Sequence, residues 1–302
     1  MKKYLLKTSA LSIILFLFIL GLSFCANGYT DAYYIRFTTP KQKNLILGTS
    51  RAAQGILPHI LKQETGINFY NFSFTIGHSP YGKIYLDAIK RKLDTTNFNQ
   101  TFILSITPWS ICSKSKKPNN AKQFREVNQI LDRTEDVTSN PNFEYLYKNL
   151  SGNYYDILIK NITSEHYLHQ NGWLEINVPM NPKKIKKRTF KKTQAYLNKN
   201  LPIYKFSSLR LNYLIKTIKY LNKYGKVYLV RLPIGNEMLD IENKLLPNID
   251  NLLKPIIPLS MGYFDFTKSI NHKDFKFIDG SHLHKSSGEE LTKIIGEWIQ
   301  SN

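Results

Sequence analysis

The chain has 302 residues, a formal net charge of +20 and 13% aromatic residues. That length and apolar content suit a globular fold with a full core, one domain with an insertion or two small domains, and exclude a disordered tail. With only two cysteines, Cys25 and Cys112, and no CxxC or Cys/His cluster, the sequence argues against a disulfide framework and against a structural zinc.

The first element is MKKYLLK followed by TSALSIILFLFILGLSFCANGYT, uncharged from Thr8 to Thr30. A helix needs roughly 20 residues to cross a bilayer, and this run supplies them. The three lysines ahead of it predict a cytoplasmic N-terminus and export of the remainder. The run ends without a clean A-x-A site, and Phe24 is bulky where a lipoprotein box wants a small residue. An uncleaved anchor over residues 1–30 is therefore preferred to a cleaved signal peptide, which would leave a secreted protein. Either way the main domain, 31–302, is expected on the periplasmic or extracellular face. Export removes nucleic acid as the partner of the positive charge. Anionic lipid headgroups and acidic envelope polymers remain, alongside a basic surface that is only solvated.

From Asn44 onward strands and helices alternate, the pattern of an α/β domain with a mainly parallel sheet. NLILG (44–48) is the first strand and 54–63 a short helix. INFYNFSF (67–74) is the second strand, ending in a turn at Gly77, and 81–92 is helical. TFILSIT (101–107) is a third buried strand, stopped by Pro108. From about 110 to 206 the chain turns polar, basic and rich in Pro and Gly, with KKIKKRTFKK (183–192) its most basic run. This stretch reads as an insertion or lid. Leu211, Leu214, Ile218 and Leu221 then form a helical stripe, with Gly225 as its predicted stop. KVYLVRLPI (226–234) is the fourth strand, 236–246 a helix, and GYFDFTK (262–268) the fifth strand. In the last helix Ser287 and Glu290 have capping-box spacing, and Leu291, Ile294, Ile295, Trp298 and Ile299 define a buried face.

Acyl transfer at serine needs a hydroxyl, an imidazole to take its proton, and a carboxylate to hold that imidazole in one tautomer. Asp279-Gly-Ser-His282 can supply the last two from one loop, and Ser50 follows the first strand in NLILGTSRAAQ. In a doubly wound sheet both loops open on the carboxyl edge, where ligands sit. Taken alone, Ser50 reads as a helix cap or phosphate cradle. Paired with the Asp279–His282 loop, it reads as a nucleophile.

The pair resembles the SGNH (GDSL-like) hydrolase superfamily. Gly48-Thr49-Ser50 matches its first block, and Asp279-Gly280-Ser281-His282 its last. The Gly-x-Ser-Arg form and the VRLP segment are similar to membrane-anchored, envelope-modifying members, such as the D-alanine-transfer protein of teichoic acid synthesis. The resemblance implies a three-layer α/β/α sandwich, flavodoxin-like, without metal or cofactor. It implies Ser50 as nucleophile, His282 as base and then acid, and Asp279 as its orienter. The oxyanion hole would take the Ser50 N–H and, from the second block, that of Gly77. The third block's asparagine has no counterpart in ITPWS (106–110). Another donor would then substitute, or the site is tuned differently, or the protein is a degenerate binder. Arg51 is either a substrate anchor for a phosphate or carboxylate, or half of a salt bridge at a helix start.

Two functions follow as expectations. One is an anchored serine esterase or O-acyltransferase acting on an acylated, anionic envelope glycan, lipid or polymer, with a membrane-bound acyl donor as a possible partner. The other is a non-catalytic scaffold or polymer binder. A phosphate-binding domain is a third, without a Walker lysine to support nucleotide use.

Overall fold

Five short apolar runs become the parallel strands of one sheet in the computed structural model, which describes residues 1–150, 152–269 and 275–302. The chain opens with α1 (Lys2–Phe24), then β1 (Asn44–Leu47), α2 (Ser50–Gly55), α3 (Pro58–Thr65), β2 (Phe69–Asn71), α4 (Lys83–Lys92) and β3 (Gln100–Ser105). A long segment follows with β4 (Cys112–Lys114), α5 (Ile130–Arg133), α6 (Phe143–Asn149), α7 (Asp156–Thr163), β5 (His166–Leu168), β6 (Leu174–Ile176), α8 (Pro182–Ala195) and β7 (Tyr204–Phe206). The chain closes with α9 (Ser208–Leu221), β8 (Gly225–Arg231), α10 (Asn236–Leu245), α11 (Ile249–Leu253), β9 (Gly262–Asp265), α12 (Phe266–Ser269) and α13 (Lys285–Gln300).

The sheet order is β2-β1-β3-β8-β9, every pairing parallel. Each central strand carries an unbroken apolar run (45–47, 102–104 and 227–230) because both faces are covered. Side chains alternate between faces, so each strand feeds two cores. Leu45, Leu47, Phe102, Leu104, Val227 and Leu229 pack with residues of α4, α9 and α10. Ile46, Ile103, Tyr228 and Val230 pack with residues of α2, α3 and α13. The expected buried face of α13 is confirmed at Leu291, Ile295 and Ile299, with Ile294 and Trp298 partly buried.

Three local expectations are corrected. The helix expected over 54–63 is two helices: α2 starts at Ser50, and Pro58 restarts the chain at the first turn of α3. Gly225 does not stop α9, which ends at Leu221; it opens β8 opposite Gln100 of β3. Ser287 is not the cap of α13. The N-cap is His284, whose side chain accepts the Ser286 N–H, and Ser287 Oγ accepts from the Lys276 N–H at 2.8 Å.

The segment between β3 and α9 leaves and returns at one place, because β4 and β7 pair antiparallel. It wraps the body as well as covering it. Arg210 of α9 forks onto Glu126 at 2.8 and 2.9 Å with both side chains buried. Lys92 Nζ donates to Val137 O at 2.8 Å, and Trp173 Nε1 to Gln54 O at 2.9 Å. Helix α1 is long and apolar enough to cross a membrane, with a mean hydropathy of 2.3 over its best window. Cys25 and Cys112 are both free.

Candidate active site

Ser50 stands at the carboxyl end of β1, between neighbours β2 and β3, where the strand order reverses. Gly48 makes the exit possible. Its φ is +151°, and an added Cβ would lie 2.8 Å from Ser105 Cβ on β3. Thr49 is the N-cap residue of α2, without a side-chain capping bond, and Ser50 is the first helical residue. Its N–H is therefore among those with no acceptor inside the helix.

The Ser50 Oγ lies 2.8 Å from His282 Nε2, although the two residues are 232 positions apart. His282 Nδ1 is 2.9 Å from Asp279 Oδ2 and 3.1 Å from Oδ1. The turn between them is tight because Gly280 adopts φ +75°. It directs the Ser281 and His282 N–H groups onto Asp279 Oδ1 at 3.0 and 2.9 Å. The carboxylate is thus held by its own loop before it meets the imidazole. Burial alone would raise the Asp279 pKa, but His282 and a nearby lysine outweigh it and keep the carboxyl well below the usual range.

That lysine is Lys192, from the basic run of α8. Its Nζ lies 2.7 Å from Asp279 Oδ2 and 2.9 Å from His282 Nδ1. Arg188, one turn earlier, donates through Nε to Ile278 O at 2.9 Å, and Thr189 lies against Gly280. Residues 185, 188, 189 and 192 share one helical face, so α8 lies along the Asp279–His282 turn. Burial lowers the Lys192 pKa, with Asp279 opposing. Burial also lowers that of His282, and the Lys192 charge adds to the effect against Asp279. Sequence reasoning singled out the run but not this residue. Asn181-Pro182 marks only the start of the helix, where the Asn181 side chain accepts the Lys184 N–H at 2.9 Å; it does not single out which lysine faces the turn.

The remaining expected residues fall differently. Arg51 is 6% exposed; its Nη1 lies 2.8 Å from Glu242 Oε1, and its Nε donates to Ser281 Oγ at 3.1 Å. The salt-bridge reading describes this position. Glu242 also meets Arg231, which pairs in turn with Asp265. The Gly77 N–H is turned onto Thr75 Oγ1 at 3.2 Å instead of standing unpartnered. Trp109, in the third-block position, packs edge-on between Tyr196 and Tyr204, and its Nε1 is buried without a partner among the described residues.

A cleft of about 560 Å³ borders the turn on the Gly280 side, lined by Met180, Ile185 and Thr189 from the α8 region and by Gly235, Phe277 and His284 across it. The arrangement of a hydroxyl, an imidazole and a carboxylate in one line can move a proton off the serine as it bonds to an electrophile. No protein-family model matches this chain, and no relative is found among curated proteins.

Proposed function

We propose that this chain is a membrane-anchored serine acyl-transfer enzyme of the SGNH type, built as a three-layer α/β/α sandwich. It would work outside the cytoplasm on an acylated, anionic envelope glycan, lipid or polymer. The observation that carries this reading is the 2.8 Å contact from Ser50 Oγ to His282 Nε2, backed by Asp279 at 2.9 Å.

In this reading Ser50 Oγ attacks the ester carbonyl carbon while His282 Nε2 takes the hydroxyl proton. The oxyanion meets the Ser50 N–H, which has no acceptor inside α2. Collapse breaks the ester bond; the leaving alcohol takes the proton from His282, and Ser50 keeps the acyl group. Water or an acceptor hydroxyl then attacks the acyl carbon, with His282 as base, and Ser50 is released. Asp279 holds the Nδ1–H tautomer throughout.

The test is Ser50→Ala on a chromogenic acetyl ester, together with labelling by a serine-directed fluorophosphonate. Turnover should fall by about 10³-fold or more, and only wild type should be labelled. Labelling that persists in the variant would remove Ser50 as the reactive group.

The second reading is a non-catalytic binder of an anionic polymer. It is favoured by the Lys192 ammonium seated on both Asp279 and His282, which masks the pair. It expects neither turnover nor labelling in wild type.

A further inference from the structure

Helix α7 carries its apolar residues on the side away from the body. Ile157 is buried, and Lys160 turns inward to donate to Thr30 O at 3.0 Å. At about 100° per residue, Tyr155, Leu158, Ile159 and Ile162 share one arc on the opposite face. They are 55, 45, 46 and 89% exposed. Helix α6 repeats the arrangement: Tyr145 and Leu146 are buried, while Phe143 and Tyr147, one turn apart, are 47 and 86% exposed. Single exposed apolar residues are ordinary, but a stripe on each of two successive helices is not.

The end of α1 meets the stripe of α6, and the chain just beyond it is tied to the inner faces of both helices. Phe24, its last residue, meets the Phe143 ring edge-on at 6.3 Å. Just beyond it, Asp31 accepts from Tyr145 OH at 2.7 Å, and Thr30 O accepts from Lys160. The chain leaving α1 is therefore fastened at once to α6 and to α7, with no free linker between helix and body.

We propose that Phe143, Tyr147, Tyr155, Leu158, Ile159 and Ile162 form a membrane-contact surface that enters the headgroup layer of the leaflet from which α1 emerges. This rests on reading α1 as an anchor. Aromatic and branched aliphatic side chains suit that layer, and a short amphipathic helix lying in it buries such a stripe. The consequence is a body docked on the bilayer, with the carboxyl edge of the sheet held at a fixed height for a substrate in or near the membrane.

The full chain, carrying Cys25→Ser, would be reconstituted in phosphatidylcholine/phosphatidylglycerol vesicles with a nitroxide at Ile159→Cys or Ile162→Cys. Phe98→Cys, before β3, serves as the aqueous control and Phe16→Cys, in α1, as the lipid control. Accessibility to a water-soluble nickel chelate should drop about fivefold at 159 and 162 relative to 98, with a gain in oxygen accessibility. Nickel accessibility equal to that at 98, while 16 reads lipid, would overturn the contact surface and leave the anchor standing. A label at 16 that reads water would overturn the anchor and the surface with it. Protection that appears in native membranes but not in these vesicles would assign the surface to a protein partner and overturn lipid contact.

Discussion

Between Asp279 and Lys192, the Nδ1 atom of His282 can serve only one of two neighbours. With a proton it donates to Asp279, leaving Nε2 bare to accept from Ser50; without one it accepts from Lys192, and Nε2 then donates to Ser50 instead. Only the first arrangement makes His282 a base. The charge on Lys192 also disfavours the imidazolium, and it draws on the same carboxylate that would stabilise that cation. Replacing it with an isosteric apolar side chain relieves both effects. In Lys192→Met the His282 pKa should rise, so the acid limb of kcat/KM against pH should move to higher pH. The rate on the plateau should change by less than about tenfold. A limb that moves to lower pH, or does not move, would show that Lys192 does not act on the imidazole. Ser50, Asp279 and His282 were legible in sequence because each sits in a short motif whose spacing fixes a turn. Lys192 was not legible, being one lysine in a run of like residues, 87 positions from the carboxylate it meets. Its partner was set by which side of a helix it occupies.

At the scale of elements, Arg51 ties α2 to α10 through Glu242 and to the Asp279–His282 turn through Ser281. Glu242 is fully buried, and Arg231 at the end of β8 is its other counter-charge. Removing one partner from a buried cluster of this kind leaves a charge uncompensated and costs about 3 kcal/mol. Arg51→Met should therefore lower the thermal midpoint and kcat together, since both the helix start and the turn lose an anchor. A stable variant with unchanged kcat and a raised KM would return Arg51 to the substrate. The five strands were readable as short apolar or aromatic runs, those at 44–48, 101–107 and 226–234 being closed by Gly or Pro. Helix α8 was not, because it lacks an apolar stripe: Ile185 and Phe190 are its larger apolar residues, Phe190 is 65% exposed, and the helix is seated by Arg188, Thr189 and Lys192. Polar docking leaves no hydrophobic period to find. The turn at Gly77 was placed correctly, but a local Thr75 hydroxyl takes its N–H, a competition that short-range patterns do not reveal.

For the molecule as a whole, acid should be destabilising well before its carboxylates titrate. Burial lowers the pKa of His59, His78, His166, His282 and His284, that of His78 to about 4 with Arg125 adding to the effect. In the unfolded chain each histidine takes its proton near its ordinary value of about 6.5. Below that pH the unfolded state binds more protons than the folded one, so stability rises with pH across the window and falls on acidification. The histidine contribution is complete above about pH 6.5 and is lost progressively toward pH 4. His78 alone accounts for about 1–3 kcal/mol, its imidazole being partly screened by solvent. The net charge of +20 works in the same direction, because protonation adds to self-repulsion. Salt separates the two, since it screens the surface field but not the buried rings. The expected outcome, for the full chain in detergent at high salt, is a thermal midpoint that declines steadily from pH 7 to pH 4.5. His78→Gln, which keeps a polar partner for Thr75, should flatten part of that slope. A midpoint that stays level over the window, or an unchanged slope in His78→Gln, would place the acid sensitivity outside the buried histidines.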